Sequence, residues 1–302
     1  MELPELPTNL QDLEKYIHES ELQTPYLRPD NEARIIWAKG YEYKKTTYSL
    51  VFLHGFSASY MEIDPIHRAF GERFGCNVYL SRLQAHGVDT PEPMLDFTPE
   101  GFMDSGLFAL AAGKQIGEKV ILITASTGST LGIYIAAHFP EIAGLICYSP
   151  NIDLYSNVTR LLAGPWGLHF AKLVFRGNYR ARIIEGPGKQ YWIARHRVEA
   201  LIALKNLIRS TMKPEIFQRV KQPFFMAYYY KNRQFQDKTV SVHKMLQMYR
   251  QLGTLPELKR KKSFPKAGVH AIGSRFTSGA VDRLQAETFR FAEEVLGLKP
   301  VG

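Results

Sequence analysis

The run Lys119-Val-Ile-Leu-Ile-Thr124 is the most strand-like stretch in the chain, and it passes through Ala125-Ser126-Thr127-Gly128 directly into a helical pattern from Ser129 to His138. A strand that is apolar at consecutive positions is covered on both faces, which is the situation of a central strand in a parallel sheet. A strand that turns into a helix within a few small residues therefore places this chain in the α/β class.

The remaining pattern agrees with that reading. Ala33 to Ala38 and Tyr48 to Leu53 read as strands, the first antiparallel to the second through a turn around Gly40. A helix is expected from Asp64 to Phe74, then a strand from Cys76 to Leu80. Thr98 is a helix cap with Pro99 in the first turn, and that helix is expected to run to Lys114. Ala143 to Tyr148 is the next strand. After Pro150 the rhythm changes: helical patterns continue without a buried strand until Pro223-Phe-Phe-Met-Ala-Tyr-Tyr229, longer than an ordinary connection between helix and strand. A helix from Val240 to Leu252, a short strand near Lys262 to Phe264 and an amphipathic helix from Val281 to Leu296 close the chain. The expected organisation is an N-terminal extension at 1–30, one core formed by 31–153 and 222–302, and a mostly helical cap at 154–221. Its central sheet is mostly parallel, with helices on both faces.

Composition limits the function classes. The 302 residues are 45% hydrophobic and 22% charged, ordinary for a globular chain long enough to bury a large core. Two cysteines exclude a disulfide framework and a four-cysteine zinc site, so Cys76 and Cys147 are read as small buried apolar residues. No His-Glu-x-x-His pattern or Cys/His cluster points to a metal, no glycine-rich phosphate loop points to a nucleotide, and no cofactor is expected. The net charge of +9 raises the question of nucleic acid, but the only dense basic run, Lys259-Arg-Lys-Lys262, reads as a solvated loop, and nucleic acid is not expected as a partner. The N-terminus Met1-Glu-Leu-Pro-Glu-Leu-Pro7 lacks the basic and apolar regions of a secretory signal. The apolar stretch from Leu161 to Phe175 is broken by Gly, Pro, His169 and Lys172 and is too short to span a bilayer. A cytoplasmic location without an integral membrane segment is the resulting expectation.

The segment Ile121-Leu-Ile-Thr-Ala-Ser-Thr-Gly-Ser-Thr-Leu-Gly132 resembles the nucleophile elbow of the α/β-hydrolases, in which a Ser sits on a turn so tight that its neighbours two residues away must be small. Gly128 fits that demand. Thr124 stands where Gly is usual and Ser129 where a second Gly often follows, so the match is incomplete, and a helix-cap role competes for Ser126. Leu53-His-Gly-Phe56 closes an earlier strand, where this superfamily places an oxyanion-binding loop, and Leu83-Gln-Ala-His-Gly87 stands where many relatives carry Pro-Gly-His-Gly. These motifs and their order are similar to the carboxylesterase and monoacylglycerol-lipase-like branch, which includes serine aminopeptidases.

The resemblance implies an α/β-hydrolase fold with a helical cap and acyl transfer to water. Ser126 would be the nucleophile, and the backbone N–H groups of Phe56 and Thr127 would hold the oxyanion. Chain order in the fold is Ser, acid, His, and His270, in the loop Phe264 to Ile272 before the closing helix, takes the place of the base. Asp237, after the strand 223–229, takes the place of the acid; Asp153, after the strand ending at Tyr148, stays open as a second candidate. His54 and His86 read as loop-ordering residues. The apolar cap residues Leu161, Leu162, Trp166, Leu168, Phe170, Leu173, Val174 and Phe175 either roof an acyl pocket or pack the cap onto the core; Trp166, Phe170 and Phe175 are the candidates for substrate contact. The expected substrate is an uncharged, short- to medium-chain or monoacylglycerol-like ester. An amide or thioester on the same triad, or a non-catalytic binding protein of the same fold, are the alternatives. A carboxylate-nucleophile hydrolase is disfavoured by Ser126.

Overall fold

The computed structural model describes residues 1–156, 164 and 166–301. The chain opens with a helix that sequence patterning did not pick out, α1 (Leu10–Leu22). It starts at Asn9, whose side chain accepts from the N–H groups of Gln11 and Asp12, and it buries Leu10, Leu13 and Ile17 against the core. The extension is therefore docked on the domain.

Next come β1 (Arg34–Ile36), β2 (Thr46–Leu53), α2 (Ile66–Phe74), β3 (Asn77–Leu80), α3 (Pro99–Ile116), β4 (Gly117–Ala125), α4 (Thr127–Ala136) and β5 (Gly144–Tyr148). The segment between β5 and the next sheet strand holds α5 (Gly167–Val174), a two-stranded ribbon of β6 (Tyr179–Ala181) and β7 (Arg195–Arg197), α6 (Glu199–Thr211) and α7 (Pro214–Arg219). The core resumes with β8 (Phe224–Tyr228), α8 (Val242–Gln251), β9 (Lys259–Ser263) and α9 (Val281–Glu294).

Seven strands form one sheet in the order β1-β3-β2-β4-β5-β8-β9. All neighbours are parallel except β1, which runs antiparallel to β3, with Ile35 opposite Tyr79. The expected antiparallel pairing of the first strand with the second is thus corrected: β1 skips β2 and takes the outer edge of β3. The basic run Lys259–Lys262 is the other correction, because it is the edge strand β9 and not a loop. Charged side chains on an exposed edge hinder pairing with another chain. Lys259 and Lys261 lay their ammonium groups over the Tyr249 ring at 5.2 and 4.7 Å.

Alternate residues of the central strands feed two separate cores, as a strand buried on both faces requires. Val51, Leu53, Leu122, Leu145 and Met226 pack on the side of α1, α3, α4 and α6 to α8, whereas Leu50, Phe52, Ile121, Ile123, Ile146 and Phe225 pack under α2 and α9. Cys76 and Cys147 are buried free thiols whose ionisation burial pushes up to about 12.

The described part of the inserted segment carries the β6–β7 ribbon beside its helices. α6 and α7 join the helical layer, with Leu204, Leu207, Ile208, Ile216 and Phe217 in the same core as α3 and α4, whereas α5 packs with Val198 and Leu201 in a separate small cluster. Leu161 and Leu162 lie outside the described residues.

Candidate active site

The C-terminal ends of β2, β4 and β8 and the loop after β9 converge on one cleft of about 570 Å³, lined among others by Phe56, Glu62, Ser126, Thr127, Asn151, Arg180, Arg182, His196 and His270. This is the size range of small-molecule sites.

Ser126 sits between β4 and α4 with φ 50° and ψ −117°, a left-handed conformation that a non-glycine residue adopts only when its surroundings impose it. The constraint is visible in its neighbours. The backbone of α4 passes so close to β2 that a Cβ at Gly128 would overlap the carbonyl oxygens of Leu53 and His54. Ser126 N–H donates to the Tyr148 carbonyl at 2.9 Å, and its own carbonyl accepts from Ser129 and Asn151 at 3.0 Å each. Thr124 fits where glycine is usual because Gly132 gives it room: a Cβ at Gly132 would stand 2.7 Å from Thr124 Cγ2. Its hydroxyl lies 2.8 Å from that of Ser129, so the two departures from the common elbow pattern pair with each other in a buried site.

The structure brings Ser126, His270 and Asp237 together. His270 Nε2 is 2.8 Å from Ser126 Oγ, and His270 Nδ1 is 2.6 Å from Asp237 Oδ2. Asp237 is only 1% exposed, and its Oδ1 accepts from the N–H groups of Thr239 at 2.8 Å and Val240 at 3.1 Å, which fixes the carboxylate and aims Oδ2 at the imidazole. Burial works against charge on His270, but the Asp237 carboxylate and, less strongly, Glu62 outweigh it and raise its pKa. Asp153 lies elsewhere. Its carboxylate pairs with Lys205 in a second cavity between α6 and α8 and does not reach His270.

The two amides expected to bind an oxyanion face different fates from their neighbours. In the turn after β2, Gly55 N–H donates to Glu62 Oε2 at 2.6 Å and Ser57 N–H to His86 Nε2 at 2.8 Å. The amide between them, that of Phe56, makes no such bond among the described residues. Thr127 opens α4, so its N–H is one of those that a helix leaves without an intrahelical acceptor. His54 accepts from Leu83 N–H through Nε2 and, like His86, is buried and neutral; burial holds His54 down to about 4 and His86 well below the usual range. Both tie the 54–57 turn to the 83–86 loop.

Trp166, Phe170 and Phe175 are not among the cleft-lining residues. Trp166 is exposed just before α5, and Phe170 and Phe175 pack on Ala171, Val198 and Leu201. The lining instead includes residues that sequence reasoning did not single out: Glu62, Arg180, Arg182 and His196. Glu62 is 4% exposed, and burial raises its pKa, opposed by Gly55 N–H, His270 and Arg182. The one trace of this in sequence is an acid between Met61 and Ile63. Among the described residues no three His, Cys, Asp or Glu side chains gather to hold a metal, and no helix is long and apolar enough to cross a membrane.

Comparison with known proteins is consistent with this architecture. A family model described as "Alpha/beta hydrolase family" matches residues 50–286. A thermostable monoacylglycerol lipase from Bacillus sp. (strain H-257) is 28% identical over 105 residues, which cover 35% of this chain and 41% of that protein; the match thus spans less than half of the relative's length. Among solved structures, the one described as "LipS and LipT, two metagenome-derived lipolytic enzymes" superposes with a TM-score of 0.70 at 18% identity, over 88% of this chain and 98% of that one. A soluble variant of monoglyceride lipase from Saccharomyces cerevisiae gives 0.62 at 12% identity, over 87% and 92%. The monoacylglycerol lipase of Paleococcus ferrophilus gives 0.54 at 15%, over 84% and 98%. At these identities the structural likeness is one of fold.

Proposed function

The chain belongs to the alpha/beta hydrolase family, and on that premise we propose that it is a serine hydrolase that cleaves carboxylic esters through an acyl-enzyme. The observation that carries the reading is the unbroken hydrogen-bond chain from Ser126 Oγ through His270 to Asp237, set on a left-handed turn at the floor of a cleft. A serine hydroxyl is a poor nucleophile until a base accepts its proton, and here the base stands at hydrogen-bond distance in the tautomer that Asp237 enforces.

In the proposed reaction Ser126 Oγ attacks the ester carbonyl carbon while its proton passes to His270 Nε2. The tetrahedral oxyanion takes hydrogen bonds from the N–H groups of Phe56 and Thr127, helped by the N-terminal end of α4. Collapse expels the alcohol, which leaves with the proton from His270. Water then attacks the acyl-enzyme with His270 again as base, releasing the acid and restoring Ser126. Asp237 holds the imidazole in place and stabilises its charged form. The names of the relatives support an acyl ester of the monoacylglycerol kind as the substrate class. In this reading α5 and the β6–β7 ribbon act as the cap over the cleft.

The test is labelling of the intact protein with a fluorophosphonate, read by mass, together with hydrolysis of p-nitrophenyl esters of increasing chain length. One adduct on the native protein, absent in Ser126→Ala, with ester turnover is the expected result. A folded protein that takes no label at pH 8 would sink the mechanism.

A further inference from the structure

The β6–β7 ribbon presents two unlike faces. Side chains alternate along a strand, so Arg180, Arg182 and the cross-strand residues Ala194 and His196 share one face, and all four line the cleft that holds Ser126 and His270. On the opposite face the cations have partners within the protein. Arg197 pairs with Glu92 at 2.5 Å and Glu199 at 2.7 Å, Arg195 lies over the Tyr179 ring at 3.5 Å, and the Tyr179 hydroxyl donates to Glu92 at 2.8 Å.

The inner face has no such balance. Among the described residues Arg180 makes no ion pair, and the Arg182 guanidinium donates only to Ser57 Oγ, at 2.9 Å. Two acids also line the cleft, but neither forms an ion pair with these arginines. Glu62 is buried with Oε2 engaged by Gly55 N–H, and Glu185 is exposed on the loop that joins β6 to β7. Arg180 and Arg182 both remain exposed to solvent at the cleft wall; the surrounding protein and the neighbouring Arg180 charge pull the Arg182 pKa below its usual value, with Glu62 opposing. His196 is neutral, held down to about 4 by burial, and adds no charge.

We propose that Arg180 and Arg182 form a carboxylate-binding subsite and that the substrate of this enzyme is an ester carrying a free carboxylate, in place of the uncharged, monoacylglycerol-like ester that the sequence and the names of the relatives suggest. Arg180 and Arg182 stand two positions apart along one strand of the ribbon and its continuation, and each offers the planar fork that a carboxylate meets with two parallel hydrogen bonds. Their place on the cleft wall, with the nucleophile at the floor, makes such an anion an anchor that orients the ester carbonyl over Ser126. The proposal rests on the reading of Ser126 as an esterase nucleophile.

Two matched ester pairs test it: mono-p-nitrophenyl adipate against p-nitrophenyl hexanoate places the anion on the acyl side, and 4-carboxyphenyl hexanoate against phenyl hexanoate places it on the leaving side. In the native protein kcat/KM favours the anionic member of one pair at least tenfold, and that ratio collapses toward one in Arg180→Gln/Arg182→Gln. The ratio is internal to each protein, so a partly misfolded variant, which loses both rates together, does not mimic the effect. Ester turnover with fluorophosphonate labelling, but with no anionic preference in either pair, overturns the subsite and leaves the esterase standing. If neither labelling nor turnover occurs, the esterase reading fails, and calorimetric titration of Ser126→Ala with monomethyl adipate decides the subsite alone. Binding weakened at least tenfold by the double arginine variant retains it; no arginine-dependent binding overturns it.

Discussion

Ser126 is the residue at which backbone and chemistry are least separable, because its left-handed conformation is what lifts Oγ to within 2.8 Å of His270. That bond is productive only when His270 is neutral. Since Asp237 and Glu62 raise the pKa of His270 against the effect of burial, the ester-hydrolysis rate should fall with falling pH around a midpoint above the ordinary histidine value of about 6.5. Glu62→Gln removes one of the two charges that favour the imidazolium while keeping a carbonyl to accept from Gly55 N–H. The acid limb of its kcat/KM profile should shift to lower pH; an unmoved limb would mean that Glu62 serves only the turn. The meeting of Ser126, Asp237 and His270 was legible in sequence because each stands at a strand end or loop that the α/β pattern already locates. The roles of Glu62, Arg180 and Arg182 were not, since Glu and Arg are ordinary surface residues until tertiary packing buries a particular one, as it does Glu62, or brings it to the wall of a cleft, as it does Arg180 and Arg182.

The β4–turn–α4 unit shows how an element absorbs departures from a motif. Thr124 and Ser129 look like defects one at a time, but their buried hydroxyls meet at 2.8 Å, and Gly132 supplies the space that the usual glycine at 124 would have left. Thr124→Val and Ser129→Ala should each destabilise the protein, and a double-mutant cycle in denaturant should return a coupling of about 1 kcal/mol, the net worth of one neutral hydrogen bond. Additive losses would show that the two hydroxyls act independently. Gly128 permits no such exchange, because what blocks a Cβ there is the backbone of Leu53 and His54. Gly128→Ala should cost at least about 3 kcal/mol, at the upper end of overpacking penalties, and abolish fluorophosphonate labelling in whatever fraction still folds. Elements with strong apolar patterns were readable within a few residues of their ends. β1 was assigned the wrong partner because pairing between strands depends on where α2 returns the chain, which local pattern does not encode. Of β9, sequence pattern locates only the end near Lys262, and its basic start reads as a loop because the order there comes from main-chain bonds to Phe224–Tyr228 and not from apolar side chains.

Across the whole molecule, the pH dependence of stability follows from histidines kept neutral in the interior. Burial holds His54, His67 and His196 at about 4 and His86 well below its usual value. In the unfolded chain each takes up a proton near pH 6.5, so between there and pH 4 the unfolded state binds more protons, and stability falls as pH falls. His270 and Glu62 act in the opposite sense, because their folded pKa values are raised and their contribution is lost as pH rises. Four groups against two leave the buried histidines in command of this range, each worth up to about 1.4 kcal/mol per pH unit. Denaturant unfolding measured from pH 7.5 to 4.5 should therefore show stability dropping steadily below about pH 6.5, well before the carboxylates titrate. His86→Gln tests the assignment most directly. It lowers stability at neutral pH, since it disturbs the bond from Ser57 N–H, yet it should flatten the acid slope by about one proton. An unchanged slope would place the acid sensitivity elsewhere. The same residue ties the acid response of the fold to the site, because His54 and His86 brace the turn that presents the Phe56 amide, so acid that loosens these histidines should weaken labelling of Ser126 before the chain as a whole unfolds.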